Sequence, residues 1–326
     1  MGSFPKDSNF SLSTLAHKTL ALRGGEGFAG KSLYPALQHD KRRWSYSNIW
    51  RRALIPISDR DGLVASFVEA ARGAGELALG FFRPGAMTSA GISHKAGGSP
   101  VTEADYLVDR FLRERLESLV PEAGWLSEET EDSPARLSKN LVFVVDPIDG
   151  TRGFMTGREA WSIAFALVEH GRPLLGIVHA PALRETYVAV KGAGARLNDN
   201  AIAVSKLRAI HTQAKVAAPV FLAKRLHEVG LRFDLQPKIP SLALRITAVA
   251  SGALDAGFAS ENSHDWDIAA ADLILHEAGG RLASLDGSAI IYNRMDTRHG
   301  VLTAAPAQIH AEVNAAARLV KGLANG

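Results

Sequence analysis

The chain has 326 residues, enough for one large domain or two of ordinary size. Hydrophobic residues make up 46% and charged residues 22%, which is typical of a globular protein. No apolar run approaches the roughly 18 residues that a membrane-spanning helix needs. Cysteine is absent, which excludes disulfides, catalytic thiolates and cysteine-ligated metals and favours a cytoplasmic protein.

The basic residues are unevenly distributed. Residues 1–60 carry ten Lys and Arg against four Asp and Glu, whereas the remaining residues carry 27 against 30. The first 60 residues show no sustained period, so we predict a basic, disordered extension, with a targeting peptide or an over-extended gene start as alternatives. Because the body has no excess of basic residues, we expect neither a nucleic-acid polymer nor a membrane as partner.

The segment Gly25–Ser32 fits the phosphate-binding loop G-x-x-x-x-G-K-[ST] of nucleotide hydrolases. Such a loop follows a buried strand and opens a helix. Here the preceding residues form a poor strand, and Pro35 falls four residues after Lys31, where the helix should be forming its hydrogen bonds. We therefore expect this match to be fortuitous and the protein not to be a P-loop NTPase.

From Asp61 onwards, helical and strand patterns alternate. Helical spacing and end signals predict helices at residues 62–82, 102–120, 221–230, 241–252, 267–280 and 307–320. Short apolar runs between turns predict strands at residues 141–145, 161–169, 174–181, 215–219, 253–259 and 300–306. Residues 185–198 are predicted to form a strand, a glycine turn and a short strand. This mixture predicts layered α and β elements in two halves, residues 61–205 and 206–326.

Acidic residues fall at the ends of these elements: Asp105, Glu128, Glu129, Asp146, Asp149 and Asp267. Several of them also fit a purely structural interpretation. Asp105 completes a capping box with Thr102, Asp267 suits a helix N-cap, and the two glutamates suit a solvated loop.

The segment "DPIDGT" (residues 146–151) favours a functional interpretation. A buried strand ends at Asp146, Pro147 stops further pairing, and the turn is predicted to expose Asp146 and Asp149. Gly150 leaves backbone N–H groups open and Thr151 adds a hydroxyl. Hard oxygen ligands beside free N–H donors suit a magnesium ion that holds a phosphate. The chain has neither an H-E-x-x-H zinc motif nor a G-x-S-x-G nucleophile elbow.

Four motifs in order resemble those of the inositol monophosphatase superfamily: "GGSPVTEAD" (97–105), "WLSEET" (125–130), "DPIDGTRGF" (146–154) and "WDIAAADLILHEAGG" (266–280). The resemblance covers the chain from Asp61 to the C-terminus. It implies an α/β layered sandwich, in the order α-β-α-β-α, and Mg2+-dependent hydrolysis of a small phosphate ester by metal-activated water. It also implies two to three Mg2+ ions and inhibition by Li+.

The resemblance further implies roles for individual residues. The metal ligands would be Glu128, Asp146, Asp149, Asp267, the Ile148 carbonyl and, for a third and weaker ion, Asp105. The residues implied to act in catalysis are Asp105, Glu128 and Thr151. Phosphate would bind the N–H groups of Gly150 and Thr151. Lys95, which matches a basic position near the site, Arg152 and Glu261 are the other residues predicted to bind the substrate.

Two departures from the family pattern bear on the substrate. Inositol phosphatases usually carry a Glu seven residues before the Asp of the "WD" motif, where this chain has Ser260 followed by Glu261. Arg152 replaces a residue that is commonly uncharged in inositol enzymes, and an arginine suits a second phosphate. The motifs are most similar to those of bacterial 3'(2'),5'-bisphosphate nucleotidases, which convert 3'-phosphoadenosine 5'-phosphate to AMP. We expect Trp266 to serve packing rather than base stacking.

Several alternatives stay open from the sequence. The substrate could instead be inositol 1-phosphate or histidinol phosphate, and the family also includes fructose-1,6-bisphosphatases. The fold could be retained by a regulatory protein without turnover, although unused buried charges are costly. The sequence is compatible with a homodimer as well as with a monomer.

Replacing Lys31 by Ala is expected to leave phosphatase activity unchanged, because the match at Gly25–Ser32 lacks the strand and helix that a phosphate loop requires. The measurement is phosphate release by the purified variant. A loss of activity in a folded K31A protein would revive the NTPase interpretation.

Overall fold

The structure is a computed structural model that describes residues 57–324. The candidate phosphate loop at Gly25–Ser32 and most of the predicted extension lie outside the described residues. No helix between residues 57 and 324 is long and apolar enough to cross a membrane.

The predicted helices and strands are present, with small shifts at their ends. The helices are α1 (Ile57–Leu79), α2 (Glu103–Leu119), α3 (Thr151–Met155), α4 (Val220–Glu228), α5 (Leu242–Ala250), α6 (Asp265–Glu277) and α7 (His310–Ala324). The first strands are β1 (Ile92–His94), β2 (Pro100–Thr102), β3 (Gly124–Ser127), β4 (Leu141–Asp149), β5 (Ser162–Glu169), β6 (Arg172–Ala180), β7 (Glu185–Val190), β8 (Ala195–Leu197) and β9 (Asn200–Ile202). The later strands are β10 (Lys215–Ala217), β11 (Asp234–Leu235), β12 (Ala256–Ala259), β13 (Ser263–His264), β14 (Gly280–Ser284), β15 (Arg298–His299) and β16 (Leu302–Pro306). Helix α1 includes residues 57–60, which the sequence analysis assigned to the extension.

Strands β3 to β9 form a seven-stranded sheet in sequence order, in which β3 and β4 run parallel and the other pairs antiparallel. Its central strands are buried on both faces. Because side chains alternate along a strand, successive residues contact different clusters. Phe143 and Val145 face a cluster that includes α1 and α2. Val142 and Val144 face the opposite cluster, which includes α5 and α6.

Strands β10, β11, β12, β14 and β16 form a second sheet in the order β11-β10-β12-β16-β14. One of its faces contributes Leu282 and Leu302 to the α5–α6 cluster. The other contributes Val216 and Phe258 to a cluster with α4 and α7. The layers therefore run α1/α2, first sheet, α5/α6, second sheet, α4/α7, which confirms the α-β-α-β-α sandwich. The division into halves near residue 205 stays a prediction.

The end of β4 differs from the expectation in two respects. The strand does not stop at Asp146. Pairing with β5 shifts register between Asp146 and Asp149, and it resumes where Asp149 faces Ser162. A bulge accommodates Pro147, which has no N–H to donate to the ladder. Both carboxylates are also buried rather than exposed, at 1% and 6% relative exposure for Asp146 and Asp149.

Helix α6 packs closely on the first sheet because small residues line the contact. A Cβ added to Gly176 on β6 would lie 2.5 Å from the carbonyl oxygen of Ala270. The helix ends at Glu277, and Gly279 follows with a φ of +89°, a left-handed conformation that favours glycine. This packing fixes the start of α6, which carries Asp267.

Gly176→Ala is expected to lower the free energy of unfolding by roughly 1–3 kcal/mol, since the new methyl group must push the α6 backbone away from β6. Urea unfolding measures the change. Gly300→Ala is the matched control, because nothing lies within 4 Å of a Cβ there. Equal stabilities of the two variants would contradict the close approach of α6.

Candidate active site

Four separate elements bring the acidic residues to one end of the first sheet. Asp105 is the third residue of α2, Glu128 follows β3, Asp146 and Asp149 lie at the end of β4, and Asp267 is the third residue of α6. Because β3 and β4 are parallel neighbours, their carboxyl ends share an edge. The Glu128 N–H donates to the Val145 carbonyl at 3.2 Å, which continues that pairing into the site.

Glu128, Asp146 and Asp267 form the centre of the site. Each offers a carboxylate oxygen, and these three atoms lie within 4.8 Å of one another. Asp146 Oδ1 is buried and has no hydrogen-bond partner within residues 57–324. An orphaned buried carboxylate oxygen beside two further carboxylates fits a divalent cation that prefers hard oxygen ligands.

Burial and mutual repulsion disfavour the ionised forms of these carboxylates. Burial, followed by the nearby charge of Glu128, raises the pKa of Asp146 well above its usual value. Burial and then the charge of Asp149 do the same to the pKa of Asp267. Burial raises the pKa of Asp105 to about 6, although hydrogen bonds from Thr102 oppose the shift.

Asp149 is hydrogen-bonded to the start of α5, a contact that the sequence does not indicate. Its carboxylate accepts hydrogen bonds from the Ser241 hydroxyl (2.6 Å) and from the N–H groups of Leu242 (3.1 Å) and Ala243 (2.6 Å), at the start of α5. Burial nevertheless raises its pKa to about 6. A carboxylate has about four lone-pair positions, so Asp149 can anchor α5 and still face a cation.

Asp105 and Thr151 are close to each other, in agreement with the family pattern. The N–H and hydroxyl of Thr102 donate to Asp105 Oδ2, as in the predicted capping box. Asp105 Oδ1 lies 3.4 Å from Thr151 Oγ1, which also lies 3.0 Å from the Ile148 carbonyl oxygen. The expected helix N-cap at Asp267 is wrong in detail, because His264 is the N-cap and Asp267 accepts its N–H.

Lys95 forms ion pairs with two of the glutamates, and its contact with the substrate stays a prediction. Its Nζ lies 2.8 Å from Glu128 Oε1 and 2.9 Å from Glu129 Oε1. Burial alone would lower the pKa of Lys95, but attraction to Glu128 and hydrogen bonds to both glutamates raise it above its usual value. Burial raises the pKa of Glu129 to about 7 against the influence of Lys95. Glu129 is thus a buried partner, with 2% side-chain exposure, and not part of a solvated loop.

Asp109 is a buried residue that the sequence analysis missed. Its two carboxylate oxygens accept from Ser127 Oγ (2.5 Å) and Thr130 Oγ1 (2.6 Å), on either side of the two glutamates. It therefore holds the loop that presents Glu128. Its spacing of four residues from Asp105 places both on one face of α2, and that spacing was the available signal.

Two cavities flank the carboxylates. One, of about 430 Å³, is lined by Glu128, Gly150, Thr151 and Arg152 among others. The second, of about 490 Å³, is lined by residues that include Asp267, Ser260 and Glu261. The predicted substrate residues thus divide between the two sides of the site. Trp266 is half-buried, packs against the core and stacks on His264 with ring centroids 4.4 Å apart, as expected of a packing residue.

Comparison with known proteins places this site in a family. The inositol monophosphatase family model matches residues 59–321. The chain is 31% identical to the 3'(2'),5'-bisphosphate nucleotidase CysQ of Aggregatibacter actinomycetemcomitans, over 72% of this chain and 89% of the relative. It is 35% identical to the histidinol-phosphatase of Mycobacterium tuberculosis, over 61% and 79%. The Thermotoga maritima IMPase structure matches with a TM-score of 0.66 at 27% identity, covering 78% of this chain and 96% of that one.

Mg2+ is expected to stabilise the protein more as the pH rises. In the metal-free fold Asp105 and Asp149 hold protons up to a pKa of about 6 and Glu129 up to about 7, whereas unfolded carboxyls release them near a pKa of about 4. The metal-free stability therefore falls as the pH rises from about 4 through these values. A cation that binds the ionised cluster offsets this loss, by about 2.7 kcal/mol at 100 times its Kd.

Melting temperatures with and without Mg2+ at pH 5 and pH 8 check this expectation. The rise in melting temperature on adding Mg2+ should be larger at pH 8 than at pH 5, and Asp146→Asn should nearly abolish it. An increment that is equal at both pH values would contradict the account of the buried carboxylates.

Proposed function

Because the chain belongs to the inositol monophosphatase family, we propose that its substrate is a 3'(2'),5'-bisphosphate nucleotide, hydrolysed with Mg2+. The chain is a phosphoric monoester hydrolase, as the members of that family are. The observation that carries the proposal is the cluster of a buried Asp146 with the partly buried Glu128 and Asp267, beside a cavity that reaches Gly150 and Thr151. Carboxylates held this close without a cation would repel one another.

We assign the metal ligands as the family pattern orders them. Glu128, Asp146 and the Ile148 carbonyl would hold one Mg2+ ion, Asp146, Asp149 and Asp267 a second, and Asp105 with Glu128 a third, weaker one. Mg2+ bound there supplies positive charge for the phosphoryl oxygens and a water of lowered pKa. Lys95 positions Glu128, because its ammonium bridges Glu128 and Glu129.

The chain's own groups bind the phosphate and handle the proton. The N–H groups of Gly150 and Thr151 bind the phosphate oxygens. Asp105 Oδ1 takes up the proton of the attacking water through the Thr151 hydroxyl, from which it lies 3.4 Å away. The water oxygen bonds to phosphorus as the phosphorus–oxygen ester bond breaks, and a proton from solvent reaches the leaving oxygen. Asp105 returns its proton to solvent, and the products are inorganic phosphate and the alcohol.

The choice of a nucleotide over inositol is supported by two positions. Ser260 stands where inositol enzymes of the family usually carry a glutamate, and it lines the cavity on the Asp267 side. Arg152 lines the other cavity next to Gly150 and Thr151. A guanidinium there suits a substrate with a second phosphate. The similarity to a histidinol-phosphatase makes histidinol phosphate the second candidate.

The test is phosphate release with Mg2+ from 3'-phosphoadenosine 5'-phosphate, inositol 1-phosphate and histidinol phosphate, each with and without Li+. We expect preference for the nucleotide and inhibition by Li+. Preference for the inositol ester would mean that Glu261 replaces the displaced glutamate and that the substrate assignment is wrong. Hydrolysis of none of the three would overturn the nucleotide assignment and direct the search to sugar phosphates.

Asp146→Asn is expected to lower kcat by roughly a thousandfold or more, because loss of a cation ligand removes several kcal/mol of transition-state stabilisation. The variant should remain folded, because asparagine keeps the volume and relieves the repulsion. Phosphate release and a thermal melt measure the two effects. Asp296→Asn, an exposed change, is the control. Turnover like that of the wild type in Asp146→Asn would overturn the assignment.

A further inference from the structure

Three side-chain cations line the cavity beside Gly150 and Thr151. They belong to Arg152, Arg158 and Lys238, and all three residues are exposed. Across residues 57–324, none of these side chains forms a hydrogen bond or ion pair. Other arginines of the same body are engaged: Arg136 binds Asp132, and Arg245 donates to the carbonyls of Phe258 and Ile239.

The backbone that carries these cations is closely packed. Arg158 N–H donates to the Gly153 carbonyl at 2.9 Å. A Cβ on Gly153 would lie 2.8 Å from Pro240, so α3 touches the segment that contains Lys238. Gly157, with a φ of +73°, turns the chain against residue 86, where an added Cβ would lie 2.4 Å from a backbone nitrogen. Helix α3 with the turn after it, and the segment before α5, therefore place Arg152, Arg158 and Lys238 at one cavity.

The charged residues that line this cavity are acidic at the Glu128 end and basic elsewhere. Glu128 is the acidic residue among those that line it, and it is already bound to Lys95 at the carboxylate cluster. Away from Glu128, the lining carries the three cations and no carboxylate. Like charges that face one cavity without partners are unfavourable in the free protein, and a multiply charged anion would relieve their repulsion.

We infer that Arg152, Arg158 and Lys238 form a second anion subsite, which binds a phosphate of the substrate other than the one hydrolysed. This inference rests on the proposed phosphatase function, because the scissile phosphate occupies the Gly150–Thr151 end of the cavity. Guanidinium groups bind phosphate through paired hydrogen bonds, and the lysine adds a point charge. A volume of about 430 Å³ accommodates a phosphorylated sugar as well as the phosphate itself.

The subsite makes Arg158 and Lys238 determinants of specificity for bisphosphates over monophosphates. The test compares kcat/KM within two matched pairs: 3'-phosphoadenosine 5'-phosphate with adenosine 3'-monophosphate, and fructose 1,6-bisphosphate with fructose 1-phosphate. In the pair that is hydrolysed with the higher kcat/KM, we expect the bisphosphate to be preferred over the monophosphate by roughly tenfold or more. Hydrogen bonds to charged groups contribute at about that level. Added salt should reduce the preference.

Arg158→Gln and Lys238→Gln should each lower the preference, mainly through KM of the bisphosphate, and the double variant, which keeps Arg152, should lower it at least tenfold. Arg110→Gln and Lys224→Gln are matched controls, because both residues are exposed and lie outside the cavity lining. The controls should keep the preference of the wild type. A preference that falls less than tenfold in the double variant overturns the subsite.

The remaining outcomes separate this inference from the proposed function. Hydrolysis of both nucleotides at equal kcat/KM overturns the subsite and leaves a phosphatase. Hydrolysis of the fructose pair alone, with a preference that the double variant lowers to that extent, overturns the nucleotide assignment and supports the subsite. Hydrolysis of none of the four compounds counts against both.

Discussion

The repulsion among buried carboxylates at the end of β4 is the constraint on which the site depends. Asp146 and Asp149 are buried, Asp267 is partly buried, and desolvation raises the pKa of each. Such a cluster is unfavourable in a folded protein unless a cation or protons neutralise it. The surrounding elements fix it in place: the bulge in β4, the N-termini of α5 and α6, and the glycine contact that seats α6 on β6. The fold therefore fixes the carboxylates in positions from which they can ligate a metal ion.

Much of this arrangement could be predicted from the sequence, because it follows from local patterns. The strand that carries Asp146, the first turns of the helices that carry Asp105 and Asp267, and the glycine end of α6 are all visible as periodicity and turn chemistry. What could not be predicted depends on partners distant in the chain. Lys95 binds Glu128 and Glu129 across more than 30 residues, and Asp149 receives its hydrogen bonds from α5, more than 90 residues away. The burial of Asp149 was missed because Pro147 indicated a strand end, whereas a bulge lets pairing resume.

The two cavities beside the carboxylates have different linings. The side that includes Gly150 and Thr151 carries cations from α3, from the turn after it and from the segment before α5. The Asp267 side carries Ser260, Glu261 and the apolar residues Ala217 and Val220. Lys238 and Pro240 line both cavities, so one segment connects them. An enzyme of this family can thus keep one hydrolytic centre and change its substrate through the two flanking walls, which is consistent with the different substrates named for its relatives.

The central claim is that the carboxylate cluster binds a divalent cation in place of protons. Calorimetric titration of Mg2+ into metal-depleted protein, in two buffers of different ionisation enthalpy near pH 6.5, tests it most directly, because the buffers reveal protons released on binding. The account predicts saturable binding with release of protons, and the loss of both in Asp146→Asn. Binding without proton release, or binding of equal strength in Asp146→Asn, would contradict it.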